Sequence, residues 1–157
     1  MQVGEPSDPA VGAIKIGEVP RIVVAAPSLL ADQPVPTQAA DLATLPWLAL
    51  RTYYRNEVAL THAQTGETCR LAIRPRVSTD SLYALRTACL MGLGACIGSA
   101  WLLDDDIAQG RLVRLAPQWQ AAALPVYLGY PQAAFYPSRL LRFVAAMREA
   151  MPALIPR

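Results

Sequence analysis

Residues 78–115 read STDSLYALRTACLMGLGACIGSAWLLDDDIAQGRLVRL, and this stretch decides the fold class. A helix is predicted from about Ser81, because apolar residues then recur at helical spacing after several capping side chains. Gly92 should end that helix. The apolar run from Ala95 to Ile97 is too short for another helix, so it predicts a strand buried on both faces.

A second helix is predicted after Ser99, which can cap it, and Gly110 should end this helix before a strand at Leu112 to Leu115. Further strands are predicted at Ala13–Ile16, Arg21–Ala25, Trp47–Leu50, Val58–His62, Thr68–Ile73 and Leu124–Tyr130, with a hairpin turn at Thr65-Gly66 and a last helix from Pro137. Strands that alternate with helices indicate an α/β domain with a largely parallel sheet.

Composition narrows the class of protein. A chain of 157 residues with 54% hydrophobic content is about one domain with a real core. No apolar run approaches the roughly 18 residues of a membrane span, and the N-terminus lacks a signal pattern, so we expect a cytoplasmic protein with no membrane partner. The net charge is only +2 and the arginines are scattered, which argues against DNA binding by these residues alone.

Four segments, in this order, resemble the effector-binding domain of LysR-type transcriptional regulators. They are RIVVAAPSLL, PTQAADLATLPWLALR, the helix block with MGLGACIGSAWLLDDDIAQGRLVRL, and LPVYLGYPQAAFYPSRLLRFVAAM. The most specific pieces are Val24-Ala25-Ala26-Pro27, Gly92-Leu93-Gly94, Gly110-Arg111-Leu112-Val113, Pro131 and Tyr136-Pro137-Ser138. The resemblance covers nearly the whole chain.

This resemblance implies an α/β, periplasmic-binding-protein-like (type 2) effector domain, with two subdomains, two crossover strands and a small-molecule ligand in the cleft. Residues 1–20 then correspond to the tail of the first subdomain and a crossover. Residues 21–118 correspond to the second effector subdomain, and residues 119–157 to the second crossover and the C-terminal helix of the first subdomain. The winged helix-turn-helix and most of the first subdomain have no counterpart, so DNA would be reached only through a missing N-terminal domain.

The expected effector site lies where strands end and helices begin, because helix N-termini offer unpaired N–H groups to anions. Arginine and hydroxyl groups after the strand Trp47–Leu50 could hold a carboxylate. The predicted effector-binding residues are Arg51, Thr52, Tyr53, Thr79, Asp80, Ser81, Gly98 and Ser99. The alternative is that the hydroxyl groups only cap the helices.

Several motifs resemble catalytic, cofactor or metal sites, but structural roles explain them better. The Gly92-x-Gly94 pair follows a helix and precedes a strand, the reverse of a dinucleotide fingerprint, so no cofactor is expected. Asp104–Asp106 occupy consecutive helix positions that cannot converge on one metal ion, and they are expected to form a solvated helix face. His62 and Cys69 flank a predicted hairpin without a third orienting group, so no catalytic residue is assigned.

The last helix carries an apolar stripe of Leu140, Phe143, Val144, Met147 and Met151. The resemblance implies that a first-subdomain sheet, which this chain cannot build, normally covers the stripe. We therefore expect a second copy of the chain or the second subdomain to cover it, because leaving such a stripe in water forfeits several kcal/mol.

The sequence favours the effector-sensing and oligomerising portion of a LysR-type regulator, which is not an enzyme. Its expected partners are a small-molecule effector, such as a carboxylate, and further copies of itself. The alternative is a small-molecule-binding α/β protein or an enzyme of solute-binding-protein-like fold. A solute-binding protein should carry an export signal, and an enzyme should show convergent acid, base or nucleophile groups, neither of which is visible.

Overall fold

The computed structural model describes residues 2–4, 11–31, 33–131, 133 and 135–154. Residues 5–10, which include part of the expected end of the first subdomain, lie outside the described residues. The chain divides into two compact units. The first unit contains residues 1–20 and 123–157, and the second contains residues 21–122.

The elements follow one another as strands and helices of mostly short length. They are β1 (Gln2–Val3), β2 (Val11–Ala25), α1 (Pro27–Leu30), a 3-10 helix (Ala39–Thr44), β3 (Trp47–Leu50), β4 (Glu57–His62), β5 (Thr68–Ala72), β6 (Pro75–Thr79), α2 (Leu82–Leu90), β7 (Cys96–Ser99), α3 (Ala100–Ala108), β8 (Val113–Leu115), β9 (Trp119–Pro131) and α4 (Ser138–Leu154). The helix after Ser81, the buried strand after Gly92 and the helix after Pro137 are thus confirmed. Within the described ranges, none of the helices has the length and hydropathy that crossing a bilayer requires.

The strands pair mostly antiparallel, so the expectation of a largely parallel sheet is wrong. The hydrogen-bonded order is β5-β4-β9-β2-β7, with β1 on β9 and β8 on β2, while β3 and β6 form a separate pair. Among the ladders with a described register, β3–β6 is the parallel one, and a parallel bridge joins Trp47 to Ala95. The predicted hairpin explains part of the difference, because a tight turn at Gly66 (φ 72°) forces β4 and β5 to run antiparallel.

Strand β2 is longer than the sequence indicated. The sequence predicted a short strand at Ala13–Ile16 within a connecting segment, but β2 continues without a break from Val11 to Ala25. Gly12 belongs to this strand for a packing reason, since a Cβ there would lie 2.7 Å from Cε2 of the Tyr130 ring. Gly12 is therefore a site of close contact within the first unit, one residue before the strand start that the sequence predicted.

The part of β2 in the second unit is buried on both faces. Val23 and Ala25 belong to one apolar cluster, whereas Ile22 and Val24 belong to another. This alternation follows from the two-residue period of a strand, which sends successive side chains to opposite faces. Helices α2 and α3 supply residues to the second cluster, and the 3-10 helix supplies residues to the first. The alternating β-branched run in the sequence therefore forms the centre of the second unit.

Asp106 is a buried ionic centre in the second unit, so the expectation of a solvated Asp104–Asp106 face is wrong at this residue. Its side chain is 0% exposed. Nε and Nη2 of Arg86 donate to its two oxygens at 2.5 and 2.8 Å, and Nη2 of Arg111 lies 2.6 Å from Oδ1. Burial raises the pKa of the Asp106 carboxyl, but the hydrogen bonds and charges of the two arginines outweigh it and hold this pKa below its ordinary value.

Helix α4 packs within the first unit, so the expectation that a second copy or the second subdomain covers its stripe is wrong. Val144 and Met151 are buried, and Leu140 and Met147 pack beside them, against apolar residues of β2 and β9. Those strand residues are Ile14, Ile16, Val19, Val126 and Leu128. Phe143 was assigned to the stripe, but it is 52% exposed and lies outside this cluster. The two long strands therefore provide the surface that the sequence argument treated as missing.

Replacing Asp106 with asparagine should lower the free energy of unfolding by about 3 kcal/mol near neutral pH, because two guanidinium groups lose their carboxylate. A lowered folded-state pKa means that this stabilisation is present above the unfolded pKa and is lost as the pH falls through the folded pKa. Urea unfolding at about pH 7 and at about pH 3 should show the wild-type advantage shrinking in acid. Exposed Asp105→Asn is the control, and an equal loss in both variants would contradict the ionic centre.

Val144→Ala should lower the free energy of unfolding by about 2 kcal/mol, since it removes buried methyl groups from the first unit. Leu141→Ala is the matched control on the same helix, because Leu141 is 56% exposed and its truncation should change stability little. The measurement is the urea midpoint followed by circular dichroism. A large loss for Leu141→Ala together with none for Val144→Ala would contradict the packing of α4 through Val144.

Candidate functional site

Three strand ends meet at one edge of the second unit. Strands β3 and β6 run parallel, with Leu50 opposite Thr79 at their carboxyl ends. The N–H of Leu48 donates to the carbonyl of Ala95 at 2.8 Å, and the parallel bridge there starts the run into β7. Strand β7 ends at Ser99, so its carboxyl end lies at the same edge. Carboxyl edges of parallel strands are where α/β proteins bind ligands.

The two longest helices of the second unit, α2 and α3, begin at this edge. Ser81 caps α2, because its Oγ accepts a hydrogen bond from the N–H of Ala84 at 3.3 Å. Oγ1 of Thr79 accepts from the N–H of Ser81 at 3.1 Å. Ser99 precedes α3 but makes no side-chain capping bond, although it is buried. The Ser81 hydroxyl therefore caps α2, as the alternative interpretation expected. The amide groups in the first turn of α3 receive no such bond from the Ser99 side chain.

Arg51 is tied to the start of α2 by its backbone and by its side chain. Its N–H donates to the carbonyl of Thr79 at 2.8 Å, and its Nη2 lies 3.1 Å from Oδ2 of Asp80. The side chains are 61% and 72% exposed, so water screens this ion pair and it contributes little to stability. Arg51, Thr79, Asp80 and Ser81 are thus brought together, as the sequence expected, but Asp80 neutralises the charge offered to an anion.

The other predicted residues have different surroundings. Thr52 lies exposed in the turn after β3, and Tyr53 in the same turn is 40% exposed. Gly98 serves packing, because a Cβ at this position would lie 2.8 Å from Cδ1 of the buried Leu103. Ser99 lies opposite Arg21 in the β2–β7 ladder. The structure therefore connects Ser99 with an arginine that was not among the predicted site residues.

Arg21 is the residue at this edge that sequence reasoning missed. It is 8% exposed, and its Nε donates to the carbonyl of Ala122 at 2.6 Å. Its guanidinium carbon lies 5.0 Å from the ring centre of Tyr53 and 5.2 Å from that of Tyr54. A signal was present in the sequence, because an arginine directly before a buried β-branched strand is an unusual placement for a charge.

Two polar atoms of this group have no hydrogen-bond partner within the described part of the chain. They are Nη1 of Arg21 and the hydroxyl of Tyr54, and both are buried. Burial lowers the pKa of Arg21, an effect opposed by the two tyrosines. Burial also raises the pKa of Tyr54 to about 12, although Arg21 works against that shift. The phenol therefore stays protonated at neutral pH and can donate a hydrogen bond.

The remaining chemical candidates do not assemble into a site. No group of three or more histidine, cysteine, aspartate or glutamate side chains converges as metal ligands among the described residues. Nδ1 of His62 accepts hydrogen bonds from the N–H groups of Gln64 and Thr65 at 3.3 Å, so it stabilises the hairpin turn. Its ring packs edge-on against Trp119, with the ring centres 5.1 Å apart.

Comparisons with known proteins agree with this architecture. The family model described as the LysR substrate binding domain matches residues 2–152. The HTH-type transcriptional regulator PtxR of Pseudomonas aeruginosa is 30% identical over 149 residues, which are 95% of this chain and 47% of that protein. The HTH-type transcriptional activator AaeR of Escherichia coli K12 is 30% identical, with coverage of 84% and 42%. The chain thus spans about half the length of the curated relatives it matches.

A solved structure of a LysR-type regulator is also similar to this chain. The full-length Vibrio cholerae virulence activator AphB, a member of the LTTR protein family, is 30% identical with a TM-score of 0.74, covering 93% of this chain and 49% of that one. The periplasmic-binding-protein-like fold of LysR substrate-binding domains, which the sequence led us to expect, is therefore confirmed. The chain belongs to the LysR family of transcriptional regulators, and residues 2–152 are its substrate-binding-domain region.

Proposed function

We propose that this chain is the effector-sensing portion of a LysR-type regulator and that it binds a small carboxylate at the carboxyl edge of the second unit. The observation that carries the proposal is the convergence of three strand ends, Leu50, Thr79 and Ser99, with the beginnings of α2 and α3. Such an edge offers backbone N–H groups and hydroxyls to a bound anion. The proposed contacts are the eight predicted residues, Arg51, Thr52, Tyr53, Thr79, Asp80, Ser81, Gly98 and Ser99.

The proposed role is binding without chemistry. The relatives PtxR and AaeR are named as transcriptional regulators, and no catalytic group is assigned here. A ligand that binds one conformation of a regulator better than another shifts the population toward that conformation. Strands β2 and β9 each supply residues to both units, so they are the connections through which such a shift would pass. The assignment of residues 1–20 and 119–157 to a first subdomain belongs to this proposal.

The proposed partners follow from the family. The regulator would work in the cytoplasm as a homo-oligomer. It would contact DNA through a helix-turn-helix segment, since PtxR and AaeR are both described as HTH-type regulators. The family match over residues 2–152 concerns the effector-binding part. Promoter binding is therefore proposed for the regulator as a whole and not for these residues.

Charge substitutions at Arg51 and Asp80 should change carboxylate affinity in opposite directions. Arg51→Gln removes a cation and should weaken binding, whereas Asp80→Asn removes a competing anion and should strengthen it, each by about two- to fivefold at an exposed site. The measurement is isothermal titration of the 157-residue chain with aromatic and aliphatic carboxylates, supported by the shift of the thermal midpoint.

Arg70→Gln is the matched control for this experiment. Arg70 forms a similarly exposed ion pair with Glu57 in the β4–β5 hairpin, and neither residue is among the proposed contacts. Its replacement should leave the affinity unchanged. Equal responses of Arg51→Gln and Arg70→Gln would show that only the net charge matters and would contradict the proposed site.

A further inference from the structure

We propose that Arg21 and Tyr54, beneath the ring of Tyr53, form the subsite that recognises the carboxylate of an aromatic effector. This inference rests on the proposed function and identifies the part of the ligand that the second unit selects. Neither Arg21 nor Tyr54 was among the predicted contact residues. The two side chains lie at the same edge as Ser99, which is the register partner of Arg21.

Arg21 carries a buried positive charge. A buried arginine is normally paired with a carboxylate, because an unpaired charge removed from water is costly. The ion pairs among the described residues are Lys15–Glu18, Arg51–Asp80, Arg70–Glu57, and Asp106 with Arg86 and Arg111. Arg21 takes part in none of them. The second unit therefore holds a buried guanidinium whose counter-ion is not supplied by the described part of the chain.

The hydrogen-bond donors of Arg21 and Tyr54 also favour a bound carboxylate. Nη1 of Arg21 and the hydroxyl of Tyr54 are buried donors without a partner among the described residues. Buried polar groups are satisfied in most proteins, so an exception needs an explanation such as a missing ligand or ion. A carboxylate accepts hydrogen bonds at two oxygens, and its negative charge would balance the positive charge of Arg21. An amide of the same shape presents N–H donors and no charge, so it should be rejected.

The side chain of Tyr53 explains how a ligand could reach the buried donors of Arg21 and Tyr54. Its ring lies over the guanidinium of Arg21, yet the residue is 40% exposed and belongs to the turn after β3. The N–H groups of Tyr53 and Tyr54 both donate to the carbonyl of Leu50 at 2.9 Å, so the backbone of the turn is fixed. Rotation of an exposed side chain needs no backbone change and is fast. The displaced ring would then pack against the apolar body of the ligand, which favours an aromatic carboxylate.

The test uses the 157-residue chain with benzoate and phenylacetate, each compared with its neutral amide. At least one carboxylate should bind and raise the thermal midpoint, and its amide should not. Arg21→Met should weaken carboxylate binding by about tenfold or more, and Tyr54→Phe by about threefold to tenfold, since charge-assisted hydrogen bonds are the stronger ones. Arg114→Met is the matched control, because its Nε is also buried without a partner among the described residues, but it lies on β8 opposite Val24.

The unliganded variants separate recognition from a structural role. In a recognition site, Arg21→Met replaces an unpaired buried charge with an apolar side chain of similar length, so the thermal midpoint should stay the same or rise. Tyr54→Phe, which removes one oxygen, provides a second variant if Arg21→Met does not fold. A variant chain that loses stability but keeps its carboxylate affinity would overturn the subsite.

Two further outcomes distinguish this subsite from the proposed function. If carboxylates bind, and Arg51→Gln weakens them while Arg21→Met and Tyr54→Phe do not, the effector function stands and the subsite is wrong. If neither carboxylate binds the wild-type chain, the subsite is overturned. In that case, a neutral compound that stabilises the chain in an Arg51-dependent manner would still support effector binding at the edge.

Discussion

The burial of residues 22–25 on both faces is the constraint on which the second unit depends. This segment of β2 pairs with β7 and β8, while its side chains alternate between two apolar clusters. A slip of one residue would exchange the two faces and place every side chain in the wrong cluster, so the register is strongly specified. The register in turn fixes Arg21 opposite Ser99, at the edge where the helices begin. The position of Arg21 is thus set by the apolar packing beside it.

Local structure could be predicted from the sequence wherever local chemistry determines it. The cap at Ser81, the stops at Gly92 and Gly110 (φ 75° and 70°), and the turn at Gly66 each depend on a few neighbouring residues. Most strand and helix positions followed from these signals together with apolar periodicity. The family resemblance then supplied the two-subdomain architecture, which no local pattern contains. Pairing direction was missed, because it depends on how distant strands meet.

The errors at the two charged residues Asp106 and Arg21 share one cause, which is a partner far away in the sequence. Asp106 was expected to be solvated. Arg86, 20 residues earlier in the sequence, donates a hydrogen bond to its carboxylate and so offsets the cost of burying this charge. Arg21 was treated as an ordinary strand residue, although the carbonyl that it contacts lies 101 residues later, at Ala122. A charged side chain gives little indication of its burial unless its partner is known. The predicted site therefore contained charged groups that are exposed, Arg51 and Asp80, and omitted the buried charge of Arg21 beside them.

The two arginines at the edge are suited to different parts of ligand recognition. The charge of Arg51 is exposed and shared with Asp80, so its interaction with an anion is screened and contributes at most about 1 kcal/mol. Arg21 lies in a drier setting, with two tyrosine rings against its guanidinium, where the same charge interacts several times more strongly. A screened outer charge can attract many anions and discriminates weakly. A buried planar guanidinium beside a fixed phenol accepts one geometry, so selectivity for a carboxylate should reside at Arg21 and Tyr54.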